Sequence, residues 1–243
     1  MTIRRLLPLA ALAATLAVPA SASALTVYGA SSLRDALPSL DKRATYSFNG
    51  SNTLQLQIER GAPADLFLAA SPTEAQALFA EGRCERPVTF ATNVLVLLVP
   101  NANPAGITSV YSLRGGGKKL AVGAAGVPIG AYTRSLLKRL RLSSVLTRNT
   151  ISLESNVANI TAKVALGSAD AGFVYTTDAR SVAGRAKAIR LPTWAQPPVR
   201  YQGCVVKRSG ADSAGAAAYL ERLVSGEGRT VLKQYGFGLP PRG

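Results

Sequence analysis

Histidine is absent from this 243-residue chain, and its absence removes several classes of function. Ser-His-Asp and Cys-His catalysis need an imidazole base, and many zinc sites use one as a ligand. Only two cysteines are present, Cys84 and Cys204, and their spacing matches no zinc or redox motif. We therefore expect a protein that is not an enzyme, with no catalytic residue, no cofactor and no site for a metal cation.

Acidic residues are also scarce, because 13 Asp and Glu stand against 28 Lys and Arg, for a formal net charge of +15. A charge of this size invites polyanion partners. The cations are nevertheless spread along helix faces, as in residues 133–141, whose leucines form the buried stripe. The chain has one Trp and no basic cluster interleaved with aromatic residues, so we expect no nucleic-acid partner. The positive charge is better explained by long-range attraction of small anions.

Residues 1–24 are predicted to be a secretory signal. Arg4 and Arg5 form its positive start, and an apolar stretch leads to an A-x-A cleavage site at Ala22–Ala24. The apolar stretch is shorter than the ~20 residues that a bilayer span needs. No Cys follows the cleavage site to carry a lipid anchor. We expect an exported, periplasmic protein that is soluble after cleavage and begins near Leu25.

Short apolar runs alternate with helical patterns in the rest of the chain. The runs are Leu25–Tyr28, Asp65–Ala69, Val94–Val99, Leu120–Val122, Ala171–Tyr175 and Gly203–Val206. The helical spacing includes Leu54–Arg60, Thr73–Glu81 and Asn156–Leu166. This alternation predicts an α/β fold with mostly parallel sheets flanked by helices, in which ligands bind beyond the carboxyl ends of the strands.

Two hydroxyl-bearing turns each leave a predicted strand and open a helix. Ser31 and Ser32 lie in the first turn, and Ser51 and Asn52 lie in the second. The first N–H groups of a helix have no internal partner and carry a positive partial charge, so hydroxyls beside them complete a cradle for an anion. Neither turn contains Lys or Arg, which indicates neutral donors. The alternative is that these residues only cap their helices.

Further motifs run through nearly the whole chain after the signal. Residues 51–67 read S-x-x-L-x-x-Q-I-x-x-G-A-P-A-D-L-F, and related motifs follow in order at residues 30–33, 93–96, 120–123, 127–132, 169–179 and 235–237. Their order and spacing resemble those of the periplasmic molybdate-binding proteins that serve ABC transporters. These binding proteins are type II periplasmic binding proteins. The resemblance implies two α/β lobes joined by two crossing strands.

On this chain the first lobe is expected to span residues 25–100 plus 199–243, and the second lobe residues 101–198. The apolar strands Val94–Val99 and Gly203–Val206 flank the middle segment and are the expected hinges. Closure of the lobes on a ligand is then a hinge motion.

The resemblance also implies a ligand site built from neutral donors of both lobes: Ser32, Ser51, Ile129, Val157 and Tyr175. The two serines and the tyrosine supply hydroxyls, and the other two residues supply backbone N–H groups. The family has a small Ala where this chain has Ile129, so the cavity wall is expected to differ there.

The residues themselves agree with part of this assignment. Pro128 suits the first position of a helix, and Asn156 is a good N-cap, so the N–H groups of Ile129 and Val157 are expected at open helix ends. Tyr175, taken without the resemblance, would be interpreted as a half-buried aromatic residue of a strand.

The implied ligand is molybdate or tungstate, and the implied partner is an ABC transporter permease with its ATPase. The binding protein itself is expected to be a monomer. A phosphate that carries a proton needs an acceptor for it, and an all-donor site would oppose that proton at ~1–3 kcal/mol. Two alternatives stay open. One is a binding protein for another small oxyanion such as sulfate, and the other is a secreted enzyme with Ser32 or Ser51 as nucleophile, which lacks an evident base.

The two cysteines also leave alternatives, a Cys84–Cys204 disulfide or two buried free thiols. An exported protein sits where disulfides persist. We therefore predict the bridge.

Overall fold

The computed structural model describes residues 24–241, so the predicted secretory signal, apart from Ala24, lies outside the described residues. The strands are β1 Thr26–Ala30, β2 Thr45–Asn49, β3 Leu66–Ala69, β4 Val88–Asn93, β5 Leu95–Pro100, β6 Lys119–Gly123, β7 Thr150–Glu154, β8 Ala171–Tyr175, β9 Ala186–Arg190 and β10 Val199–Val205. The α-helices are α1 Leu37–Leu40, α2 Ser51–Glu59, α3 Pro72–Ala80, α4 Pro128–Arg139, α5 Val145–Arg148, α6 Val157–Ala165, α7 Thr176–Ser181, α8 Ser213–Val224 and α9 Gly226–Gln234. Short 3-10 turns cover Ser31–Leu33, Val110–Gly115 and Thr193–Ala195.

The strands form two five-stranded sheets with the same pattern of pairing. The first sheet has the order β2-β1-β3-β10-β4, and the second has the order β7-β6-β8-β5-β9. In each sheet the first three strands are parallel, and the last two pairings are antiparallel. The predicted two-lobed α/β architecture is confirmed, and its sheets are mixed rather than mostly parallel. We call each sheet with its helices a lobe.

The first crossing between the lobes lies earlier than the boundary expected after residue 100, whereas β10 starts at Val199, where the first lobe was expected to resume. β5 pairs with β8 and β9 inside the second sheet, and all six of its residues are buried. The chain therefore leaves the first sheet at Val94, between β4 and β5, and returns through residues 191–198 to β10. Of the two apolar runs expected as hinges, residues 95–99 and 203–205 lie inside strands, and Val94 alone, between β4 and β5 and half exposed, lies at a crossing. An apolar run reports burial and does not distinguish a hinge from a sheet interior.

Helices pack closely on both sheets. Ile160 and Val164 of α6 pack on Gly172 of β8, where an added Cβ would lie 2.5 Å from the Ile160 side chain. The glycine thus lets α6 approach its sheet. In the first lobe, Leu54 and Ile58 of α2 are buried in a cluster with Leu78 of α3.

The disulfide between Cys84 and Cys204 lies in this same cluster, and both cysteines are buried. Their Cα atoms are 5.9 Å apart, and the bridge spans 120 residues of sequence. It fixes the segment after α3 to β10. Among residues 24–241, no helix has the length and apolar character needed to cross a membrane.

Candidate functional site

A small cavity lies where the carboxyl ends of the parallel strands of the two sheets face each other. Its residues are Ala30, Ser31, Ser32, Asn49, Gly50, Ser51, Ala70, Val127, Pro128, Ile129, Asn156, Val157 and Tyr175. All five site residues expected from the resemblance line this one cavity. Its free volume is about 10 Å³, roughly the room that one water molecule needs. The size therefore favours a small ligand.

The strand register of each sheet places the donor-bearing turns of that lobe at one edge of the sheet. β1 and β2 end together, with Ala30 paired to Asn49, so the turns that follow both strands open at the same sheet edge. In the second sheet, Gly123 pairs with Glu154, and α4 and α6 start shortly after these residues. The sequence expectation that ligands lie beyond the carboxyl ends of the strands agrees with this geometry.

Ser51 is the first residue of α2 and is buried, with 1% of its surface exposed. Its Oγ accepts a 3.0 Å hydrogen bond from the backbone N–H of Ala70. Because that oxygen already receives one proton, its own hydroxyl proton is free to point elsewhere. Ser51 is therefore a ready donor to a group in the cavity.

Ser32 lies in the 3-10 turn that follows β1, and its Oγ is 2.9 Å from the hydroxyl of Tyr201. The alternative that the serines only cap helices is wrong. Ala30 and Gly50 occupy the N-cap positions of the two turns, and no side chain caps either one.

The second lobe presents the starts of two helices. Pro128 begins α4, and Asn156 caps α6 by accepting a 3.0 Å hydrogen bond from the Asn159 N–H. Both roles agree with the sequence prediction. The N–H groups of Ile129 and Val157 thus lie in first turns, where no carbonyl of their own helix is available.

Tyr175 ends β8 and is fully buried, so the interpretation as a half-buried strand residue does not hold. Its hydroxyl has no hydrogen-bond partner within residues 24–241. A buried hydroxyl without a hydrogen-bond partner lowers the stability of the folded state by ~1–3 kcal/mol. This cost points to a partner that is not part of the protein. Burial raises the pKa of Tyr175 well above its ordinary value, so the hydroxyl stays a proton donor at neutral pH.

No Lys, Arg, Asp or Glu contributes to the cavity lining in the described part of the chain. Asp178 lies three residues after Tyr175, outside the lining, and burial raises its pKa from 3.8 to about 7, with the Asp35 carboxylate adding to the effect. Across residues 24–241 there is no group of three His, Cys, Asp or Glu that could hold a metal ion. The site offers N–H and O–H donors without a net charge, an arrangement suited to binding an anion.

Two features of the site were missed by sequence reasoning. Asn49 lines the cavity, and Asn156 donates a 3.2 Å hydrogen bond to its side-chain oxygen across the two lobes. The position of Asn49 at a strand end, just before the second turn, was a usable signal. Tyr201 gave no local signal, because its contact with Ser32 joins residues 169 positions apart.

Two α/β lobes with a small cavity between them, lined by donors from both, define a solute-binding protein. Residues 25–238 match the family described as bacterial extracellular solute-binding protein, and the chain belongs to that family. It is a binding protein and not an enzyme.

Two of the proteins that are similar in sequence to this chain are molybdate-binding proteins. The chain is 31% identical to the molybdate-binding protein ModA of Mycobacterium tuberculosis over 229 residues, 90% of this chain and 86% of the relative. It is 32% identical to ModA of Haemophilus influenzae over 237 residues, 90% of this chain and 91% of the relative. The resemblance inferred from the motifs is confirmed.

A solved structure shares the fold. The periplasmic molybdate-binding protein of Azotobacter vinelandii superposes with a TM-score of 0.78 at 24% sequence identity. The match covers 89% of this chain and all of that one.

Proposed function

We propose that this chain captures molybdate or tungstate as a dianion between its two lobes and delivers it to the permease and ATPase of an ABC transporter. The ligands are the hydroxyls of Ser32, Ser51 and Tyr175 and the backbone N–H groups of Ile129 and Val157. The observation that carries the proposal is the buried Tyr175 hydroxyl, unpartnered within residues 24–241, in a cavity whose described lining has no charged side chain. The names of the relatives support the choice of oxyanion.

The chemistry of the site supports a fully deprotonated oxyanion. Hydrogen phosphate would direct its proton at donors, which is unfavourable by ~1–3 kcal/mol. Molybdate, tungstate and sulfate carry no proton near pH 7, so size must discriminate among them. Sulfate is the smaller ion, and Ile129, which is buried in the cavity wall, is the residue we expect to set the fit.

The chain acts as an exported, periplasmic monomer that begins near Leu25 after removal of residues 1–24. Secretion of the full-length precursor followed by intact-mass measurement tests this part. A product that retains Arg4 and Arg5 would contradict it.

The ligand is tested by thermal unfolding of the purified protein with molybdate, tungstate, sulfate or phosphate. A ligand at 100 times its dissociation constant adds ~2.7 kcal/mol of stability. We expect molybdate and tungstate to raise the unfolding temperature most, sulfate less, and phosphate not at all. A larger effect of sulfate would favour the sulfate alternative, and no effect of any oxyanion would overturn the proposal.

A further inference from the structure

Tyr201 is a buried residue of β10 that does not line the cavity and has a fixed position beside it. Its ring meets the Tyr175 ring edge-on at 5.9 Å between centroids and the Phe237 ring at 5.4 Å. Phe90 packs on it at 6.0 Å. With aromatic neighbours on several sides, the ring has little freedom, and its hydroxyl is held in one place.

Two polar atoms lie within hydrogen-bond distance of the Tyr201 hydroxyl: Ser32 Oγ at 2.9 Å and Asn93 Nδ2 at 3.4 Å. The orientation of the Asn93 amide follows from its Oδ1, which accepts a 2.9 Å hydrogen bond from the Val94 N–H, while its Nδ2 also donates to Thr177 Oγ1 at 3.0 Å. The Asn93 nitrogen therefore faces Tyr201, and an amide nitrogen only donates.

The direction of the Ser32 contact follows from these two distances. The Tyr201 oxygen accepts from Asn93, and within residues 24–241 its own proton has one acceptor in reach, Ser32 Oγ. Ser32 Oγ then accepts a hydrogen bond from the Tyr201 hydroxyl, so the Ser32 hydroxyl must direct its own proton elsewhere. The cavity that Ser32 lines offers that direction.

We propose that Tyr201 is a positioning residue for anion selectivity: by donating to Ser32 Oγ, it directs the Ser32 proton toward the cavity and occupies one of the two lone pairs with which Ser32 could accept a hydrogen bond from the ligand. This inference rests on the proposed function. The N–H of Ala70 has the same effect on Ser51, so both serines of the first lobe are directed as donors. A site with both serines fixed in this way discriminates against oxyanions that carry a proton.

Burial raises the pKa of Tyr201 well above its ordinary value. The hydroxyl therefore keeps its proton throughout the neutral range, and the arrangement does not depend on pH there.

The test is Tyr201→Phe, which removes the hydroxyl and keeps the ring packing. Calorimetric titration with molybdate is expected to give a 3- to 10-fold weaker affinity, about the worth of one ordinary hydrogen bond. The ratio of molybdate to phosphate affinity at pH 7 is expected to fall as well, because Ser32 Oγ gains a free lone pair that can accept a hydrogen bond from hydrogen phosphate.

Tyr219→Phe is the matched control. Tyr219 is also buried, its hydroxyl is 3.1 Å from that of Tyr46, and it does not line the cavity. This variant is expected to lose stability without a change in affinity or selectivity.

The double variant Ser32→Ala/Tyr201→Phe separates positioning from a general structural role. If Tyr201 acts through Ser32, adding Tyr201→Phe to Ser32→Ala costs no further affinity. An equal loss in both backgrounds, or unchanged affinity and selectivity in Tyr201→Phe, would overturn the inference and leave the proposed function standing. A parent protein that binds neither molybdate, tungstate nor sulfate would overturn the proposed function and this inference with it.

Discussion

The side-chain amide of Asn156 donates a 3.2 Å hydrogen bond to the side-chain oxygen of Asn49, and this bond joins the two lobes in the wall of the cavity. The lobes approach closely here, so that a Cβ on Gly50 would clash with the backbone carbonyl of Ser155. The same two asparagines thus line the site and hold the lobes together beside it.

We predict that Asn156→Ser weakens molybdate binding by ~0.5–1.5 kcal/mol, since it removes one hydrogen bond between the lobes. Ser remains a good N-cap, so α6 is expected to keep its start. Calorimetric titration measures the loss. Asn159→Ala is the control, because Asn159 lies on the same helix and its side chain contacts Ser155 rather than the first lobe. Equal affinities of Asn156→Ser and the parent would refute the role of this bond.

Tyr175→Phe is expected to act with opposite signs on stability and binding. Without ligand, the variant loses a buried hydroxyl that has no partner within residues 24–241, so its free energy of unfolding stays level or rises by up to ~1–3 kcal/mol. With molybdate, the loss of a donor to a dianion lowers the affinity by ~1.5–3 kcal/mol. Urea unfolding and calorimetry give the two values. A variant that is destabilised without ligand yet binds normally would contradict both parts.

Ser51→Ala and Ser32→Ala are each expected to weaken molybdate binding by ~1.5–3 kcal/mol, the range for a hydrogen bond to a charged group. Ser39→Ala is the matched control, because Ser39 is exposed, bonds to Tyr235 and does not line the cavity.

One outcome would contradict the assignment of these two serines to the site. If both variants bind molybdate like the parent while substitution of Lys138 or Arg139 abolishes binding, the anion sits on a basic surface and the assigned site is wrong.

Asp178 makes the stability of the folded protein depend on pH. Burial raises its pKa from 3.8 to about 7, so between these values the folded state holds a proton that the unfolded state has released. Stability therefore falls as the pH rises through this window and levels off above it. Asp178→Asn removes this loss, which at ~1.4 kcal/mol per pKa unit approaches ~4 kcal/mol at pH 8.

Denaturant unfolding of Asp178→Asn and the parent at pH 4 and pH 8 checks this prediction. The two proteins are expected to differ little at pH 4, where the carboxyl is neutral in the folded state, and the variant is expected to be more stable at pH 8. A difference that is the same at both pH values would count against the assignment.

The Cys84–Cys204 bridge is expected to persist in the exported protein. Intact mass after alkylation without reductant should show no adduct, and after reduction two. Closing a loop of 120 residues stabilises the folded state by up to ~4–5 kcal/mol, so the reduced protein should unfold at lower denaturant. Two adducts without reductant would show free thiols instead.

The sequence alone determined the parts of this protein that depend on local order. The family resemblance that the motifs carry implied Ser32, Ser51, Ile129, Val157 and Tyr175, which the structure brings to one cavity, and Tyr175 followed from that resemblance alone. Apolar runs, helical spacing and turn residues predicted the strands, the helices and the two serine-bearing turns. This was possible because a turn between a strand and a helix is encoded by adjacent residues, and parallel strands carry such turns to the same sheet edge.

Only the tertiary structure decided the features that join distant parts of the chain. The run Val94–Val99 was expected to be a hinge, but only Val94 lies at the crossing and the rest is the interior of β5, because the pairing of β5 with β8 and β9 has no local signature. The direction of the Ser32 hydroxyl likewise depends on Tyr201, 169 residues away. A sequence pattern reports which residues are buried, whereas the partner that each buried group meets is set by long-range packing.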